Sequence, residues 1–315
     1  MLNWPTGFRR AEFGSVPTLM RYIDLFRDNR SIGRFTVPDH VKSQTQFFRL
    51  SGAARTGGNG VVFDAHHMQG FQKAGMPFAV KMLRQLTTAR VDRFHNEARV
   101  MKDLDSQFIA KFFDSGSVTV QDEKNPKNEE TVPWIAMQLG GPNMRSHVEQ
   151  QGRLDLHTLK KVTPSVCQAI AHLHSKGFIH RDIKPENFVW QSTKHDALLM
   201  IDFGIAKRVG EDVSARPMDT FTQVKEFVGP VFFSSPELIE YATNKAHPVD
   251  GRSDVFQAGK LLWFLGTGKI SAGVPSRKEC PAGGKLREVV LQMIDDDPNS
   301  RIQTMQEVEL AITAI

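Results

Sequence analysis

The chain has 315 residues, 40% of them apolar, with 22 Phe available for packing. That is enough for one or two cores and argues against a wholly disordered chain; roughly 150 residues per domain suggests two domains. A net charge of +5 does not identify a nucleic-acid binder, though it is compatible with an anionic ligand.

Cys167 and Cys280 lie far apart, with no Cys/His spacing of a zinc site, and read as reduced thiols. The longest apolar runs, such as LLWFLG at 261–266, fall short of the about 20 residues a bilayer requires. The opening MLNWPTGFRRAEFGS has no apolar signal core, Leu2 excludes myristoylation, and the final ITAI is no prenylation box. The expectation is a cytoplasmic protein with no membrane and no nucleic-acid partner. The sequence leaves the oligomeric state open.

Residues 1–45 read as an N-terminal extension. Leu19, Tyr22, Ile23 and Phe26 would share one face of a short helix from Thr18 to Asp28, and Arg27, Arg30 and Arg34 read as solvated charges. From Gln46 the pattern becomes strand-like. QFFRL, the Gly-rich GAARTGGNG (52–60) and VVFDAHH form a hairpin signature, and PFAVKML (77–83) reads as a further strand. Helical period follows at 89–104, then strands near 109–120 and 132–139 around a polar loop, QDEKNPKNEE. After Gly140 the chain is mostly helical. Helices are expected at 157–177, perturbed by Pro164 and stopped by Gly177, and at 253–266, 285–294 and 304–312. The order implies an α+β fold with a β-rich part at 46–140 and a helical part at 141–315. No internal repeat is visible.

Residues 180–188 read HRDIKPENF and residues 202–204 read DFG, with the apolar strand ALLMI between them. Asp182 and Asp202 thus flank a strand-containing hairpin. Phosphoryl transfer needs metal ions to neutralise charge and a group to orient the attacking hydroxyl. Carboxylates suit either role, and Asn187 adds an amide oxygen for a hard metal.

Over residues 46–313 the chain resembles the eukaryotic-type protein kinase family, Ser/Thr branch. HRDIKPEN matches its catalytic loop and DFG its metal-binding triplet. The resemblance implies a bilobal kinase fold, with an ATP and Mg²⁺ site (Mn²⁺ as an alternative) between the lobes, and protein substrates. Asp182 would be the base, Asn187 and Asp202 the metal ligands, and Lys184 the lysine at the γ-phosphate. Lys81, in FAVK, resembles the strand lysine that meets the α/β-phosphates, and Glu97 its helical partner. Glu237, in SSPE, resembles the glutamate that pairs with an arginine, here Arg301. Asp254 resembles the buried anchor of the long C-lobe helix.

The nucleotide pocket follows by the same resemblance. Gly57, Gly58 and Gly60 would approach phosphate, Val62 and Ala79 would roof the adenine, and Val189 would floor it. Met137 would be the gatekeeper, and Gln138, Leu139 and Gly140 the hinge. Met101, Phe112, His180 and Phe203 would form a regulatory spine.

The chain departs from the family at several places. Arg55 stands where the first loop glycine is expected. Pro230 replaces the threonine that normally bonds to the catalytic aspartate, and a proline there resembles tyrosine kinases. Glu226 stands where many kinases carry an activating phosphothreonine; its charge of about −1 would partly replace a phosphate's −1.5 to −2. The stretch 267–284 is rich in Gly and Pro, so the usual substrate-docking helix is expected to be small or missing. His66–His67 and His172/His174 lack the helical spacing of metal pairs. Two other readings share these motifs: a pseudokinase scaffold and a small-molecule phosphotransferase. The first normally loses a catalytic Lys or Asp, and the second normally lacks KPEN, DFG and APE-like signatures. The expected activity is transfer of the ATP γ-phosphate to Ser/Thr hydroxyls, autophosphorylation included.

Overall fold

A computed structural model describes residues 20–56, 60–67, 78–208, 232–244, 248–271 and 284–314. Its N-terminal part is one sheet. The strands in chain order are β1 (Arg21–Arg27), β2 (Arg30–Val37), β3 (His40–Lys42), β4 (Phe47–Thr56), β5 (Gly60–His67), β6 (Phe78–Leu83), β7 (Phe112–Asp122) and β8 (Glu129–Gln138). They lie in the order β1-β2-β7-β8-β6-β5-β4-β3, with every neighbouring pair antiparallel. The sheet curls, bringing β1 against β4 and β3 against β7. Thr45 of the loop after β3 donates to Asp114 on β7 at 3.3 Å, and Ser43 bonds the same carboxylate.

The helix expected at 18–28 is strand β1 instead. Ile23 and Leu25, two apart, are the buried residues, and Asp24 between them is exposed. Burial of alternate residues is strand periodicity, and a short apolar run reads equally well in either period. Asp28 and Asn29 then turn the chain with φ of 49° and 60°, the positive values that a tight hairpin turn requires. Both residue types tolerate that conformation. Strands β1 to β3 therefore come from the segment before residue 46 and pair into the same sheet.

Between β6 and β7 lies helix α1 (Thr88–Lys102). The Thr87 hydroxyl caps it by accepting from the Arg90 N–H, and Arg99 and Lys102 close its last turn, where cations suit the helix dipole. Two cores result. One fills the curl of the sheet, with Leu25, Phe35, Phe63 and Trp134 fully buried. The other runs from α1 into the C-terminal part.

That second part is helical: α2 (Met144–Gln151), α3 (Leu156–Ser175), α4 (Pro236–Thr243), α5 (Gly251–Thr267), α6 (Lys285–Met293) and α7 (Met305–Thr313). Two small ladders accompany the helices. Strand β9 (Phe178–Ile179) pairs with β12 (Lys207–Arg208), and β10 (Phe188–Trp190) pairs with β11 (Leu198–Met200). Helix α3 runs on through Pro164. Thr163 and Ser165 donate their hydroxyls to the carbonyls of Leu159 and Val162, and Gly177, at φ 77°, turns the chain past its end. Every residue of α5 from Ser253 to Gly266 is buried, which makes it the central post of this half. The architecture is α+β: a β-rich sheet with one helix, then a helical part. No helix among the described residues is long and apolar enough to cross a membrane.

Candidate active site

Two clusters meet where the sheet faces the helical part. The first joins β6, α1 and the segment after β11. The Lys81 ammonium donates to both Glu97 carboxylate oxygens, at 2.7 and 2.8 Å, and lies 3.4 Å from Asp202. Burial works against the Lys81 charge, but the Asp202 and Glu97 carboxylates outweigh it and raise its pKa. Burial pushes the Glu97 carboxyl up to about 7, against the pull of Lys81. Burial likewise opposes ionisation of Asp202, yet Lys81 and Lys184 bring it down to about 2. Asp202 is therefore a carboxylate at neutral pH. Among the described residues it is one of five non-glycine residues with positive φ, at 67°, and its Oδ1 accepts from the Gly204 N–H at 3.3 Å.

The second cluster is the loop after β9. The Lys184 ammonium donates to both Asp182 oxygens, at 2.8 and 2.7 Å. Burial opposes its charge, but Asp182, with help from Asp202 and Glu186, raises its pKa. The Asn187 Nδ2 donates to the Asp182 carbonyl at 2.7 Å and to its carboxylate at 3.1 Å. That fixes the amide with its oxygen turned away from Asp182. The ionised Asp202 and this amide oxygen are the donor types a hard divalent cation takes, with phosphate oxygens completing the shell. Among the described residues, no group of three or more His, Cys, Asp or Glu could hold a metal by itself.

The loop is bolted to α5. Asp254, fully buried, accepts the backbone N–H of His180 and of Arg181, each at 2.8 Å, and a contact from His174 Nε2 at 2.8 Å. Three residues along the same helix, Gln257 accepts from the Ile183 N–H at 2.9 Å and donates to the Arg181 carbonyl at 3.1 Å. Gln257 was not singled out from the sequence. Its only signal is position, one turn after Asp254 on the same face. Arg145, also not singled out, donates to Glu186 at 2.9 Å and lies 4.7 Å from the Phe264 ring.

The residues expected around adenine lie on β5, β6, β8 and β10 and in the chain after β8. Ala79 pairs with Met137 across β6 and β8, and both are buried. Val62 and Leu139 are partly buried against the same core, and Val189 is buried. Gln138 donates its N–H to Lys111, at the end of β8. Gly140 is required by contact: a Cβ there would clash with Val189 Cγ2. Gly60 is constrained likewise, since a Cβ would come within 2.9 Å of the Met82 carbonyl. Gly57 and Gly58 lie outside the described residues, as do Glu226, Pro230 and most of 267–284. Arg55 is on β4 in an exposed ion pair with Asp64.

Of the expected spine, Met101, His180 and Phe203 are buried and Phe112 packs against the same core. The His180 and Phe203 rings lie 5.4 Å apart. Arg301 donates to Glu237 at 2.8 Å, with its side chain wholly buried.

Comparison with known proteins identifies the family. The model of the protein kinase domain matches residues 55–309. A probable serine/threonine-protein kinase PknB of Corynebacterium glutamicum is 31% identical over 229 residues, covering 71% of this chain and 31% of that protein. A probable serine/threonine-protein kinase of Streptomyces coelicolor is 26% identical over 288 residues, covering 85% of this chain and 39% of its own length. The serine/threonine-protein kinase PknB of Mycolicibacterium smegmatis is 28% identical over 233 residues, 68% of this chain and 34% of that protein. The chain spans about a third of the length of these curated relatives. By the match over 55–309, the chain belongs to the protein kinase domain family.

Proposed function

We propose that this chain transfers the γ-phosphate of ATP to serine or threonine hydroxyls of protein substrates, its own included. The observation that carries the reading is the pair of adjoining clusters, Asp182–Lys184–Asn187 and Lys81–Glu97–Asp202. Asp182 orients the acceptor hydroxyl and takes its proton. Lys184 holds the Asp182 carboxylate and places a positive charge beside it for the transferring phosphoryl group. Lys81, anchored by Glu97, meets the α/β-phosphates. Asp202 and Asn187 are the residues that would hold Mg²⁺, which when bound would neutralise charge on the transferring group. Val62, Ala79, Met137 and Val189 enclose the adenine, with the chain from Gln138 to Gly140 along its edge. Gly57, Gly58 and Gly60 are the glycines assigned to the phosphates by the family resemblance. The relatives are named as serine/threonine kinases, and Lys184 is the residue here that favours that acceptor class.

The test is incubation with γ-labelled ATP and Mg²⁺, followed by phosphoamino-acid analysis. Labelled phosphoserine or phosphothreonine is expected. Phosphotyrosine alone would overturn the acceptor assignment. ATP binding without label on any protein would leave the scaffold reading in its place.

A further inference from the structure

Strands β1 to β3 lie wholly before the family match at 55–309, yet β1 grips the link between the two halves of the phosphate-binding pair. Lys81 is on β6, which ends at Leu83, and Glu97 is on α1, which begins at Thr88. Residues 84–87 connect them. Phe26 donates its N–H to the Arg84 carbonyl at 2.9 Å, and the Leu86 N–H donates to the Phe26 carbonyl at 2.9 Å. Phe26 and Gln85 thus form a parallel bridge. Side chains add to it. Arg84 Nε donates to the Asp24 carbonyl at 3.1 Å, and its guanidinium lies 5.0 Å from the Phe26 ring. Gln85 reaches Asn29 in the hairpin turn at 3.4 Å. Leu86 then packs against both cores.

The gripping element is itself held. Ile23, Leu25, Phe35 and Val37 are buried in the sheet core, and Arg27 pairs with Glu130 on β8 at 3.0 Å. A linker fixed at its middle by a rigid strand has little freedom to let α1 swing away from β6. A swing of α1 would break the Lys81–Glu97 pair, together with the bond that Asn96 of α1 donates to the Ala206 carbonyl at 3.0 Å.

We propose that β1 is a built-in clamp on helix α1, with Phe26 as its positioning residue. By holding residues 84–87 it keeps Glu97 within reach of Lys81. Phosphate alignment then depends on a strand outside the matched domain. The proposal rests on the kinase reading for its rate readout, but not for its structural one. Each net hydrogen bond biases an equilibrium by a few-fold to about tenfold, so losing one should be readable.

The experiment uses the full chain, well below its melting temperature. Phe26→Pro deletes the N–H donated to Arg84. A second protein, Phe26→Cys/Gln85→Cys, lets a disulfide replace the bridge and be opened by reductant. Hydrogen exchange of amides 88–102 and the kcat and KM of peptide phosphorylation are measured on each. In Phe26→Pro, exchange in α1 should rise about tenfold while α3 and α5 stay protected, and kcat should fall about tenfold with peptide KM unchanged. In the dicysteine protein the oxidised form should keep α1 protected and active, and reduction should undo both. Unchanged exchange and kcat in folded Phe26→Pro would overturn the clamp, as would exchange that rises evenly over the whole chain. If Phe26→Pro does not fold, equal exchange in the oxidised and reduced dicysteine protein overturns it. If the wild type transfers no phosphate, the kinase reading fails, and the exchange data alone decide the clamp.

Discussion

The buried carboxylate of Asp254 accepts the backbone N–H of Arg181 at 2.8 Å, and Arg181 sits at φ 70°, one residue before Asp182. A non-glycine residue with φ in that region is strained by about 1–3 kcal/mol and persists only when its surroundings over-determine it. Asp254 from one helical turn and Gln257 from the next supply that determination.

Asp254→Asn should therefore lower kcat more than it disturbs ATP binding. An amide keeps one acceptor oxygen where two N–H groups and His174 converge, so its NH₂ faces a donor. Losing a hydrogen bond to a charged group costs about 1.5–3 kcal/mol, a roughly ten- to hundredfold fall in rate if expressed in the transition state. Steady-state kinetics with varied ATP check this. A kcat within twofold of wild type would show that α5 does not set the loop.

The pair Arg301–Glu237 joins the turn before α7 to α4, and the Arg301 side chain is wholly buried. Arg301→Met should destabilise the chain by roughly 3–5 kcal/mol, because it leaves Glu237 buried without its cation. The double change Arg301→Met/Glu237→Met should recover part of that loss. Urea unfolding of the two proteins decides it, and equal midpoints would contradict the assignment.

Phe35 on β2 is fully buried, although its strand precedes the matched domain. Phe35→Ala should cost about 3–5 kcal/mol, as for any large core aromatic. An unchanged melting temperature would show that the strands before residue 46 are dispensable to the fold.

Lys260 gives a pH dependence. It is buried in α5, its ammonium donates to the Ser271 carbonyl at 2.6 Å, and burial lowers its pKa from 10.5 to about 8. Between those values the unfolded chain holds a proton that the folded chain has released. Stability contributed by this group thus rises with pH from about 8 to 10.5, and its penalty is fully present below 8. The span is no more than about 3 kcal/mol. Lys260→Met should be more stable than wild type at pH 7 and lose that advantage by pH 10.5. A constant difference across this range, read by urea unfolding, would contradict the shift.

Legibility followed the distance between partners. Asp182, Lys184 and Asn187 fall within six residues, so one local motif marks all three, although the bonds that Lys184 and Asn187 donate to Asp182 emerge only in the fold. Lys81 and Glu97 are 16 apart and became a pair only through the family resemblance. Gln257 and Arg145 act across 74 and 41 residues, and nothing local marks them. The segment at 21–27 reads either way, because Tyr22, Ile23 and Phe26 fit a helical face while Ile23 and Leu25 fit a strand. Pairing with β2 decided between them. Gly60 and Gly140 were legible as glycines near the nucleotide, but not as close approaches to Met82 and Val189, which only packing reveals.

The proposed role of Asp182 as the base is the step on which transfer depends most. Phosphorylation of protein by γ-labelled ATP, with nucleotide affinity measured alongside, compares wild type with Asp182→Ala. Nucleotide affinity should stay within a few-fold, because Lys81, Asp202 and the adenine pocket are untouched. Transfer should fall by roughly 10²–10⁴, the usual cost of losing a general base. Undiminished labelling by Asp182→Ala would contradict the account.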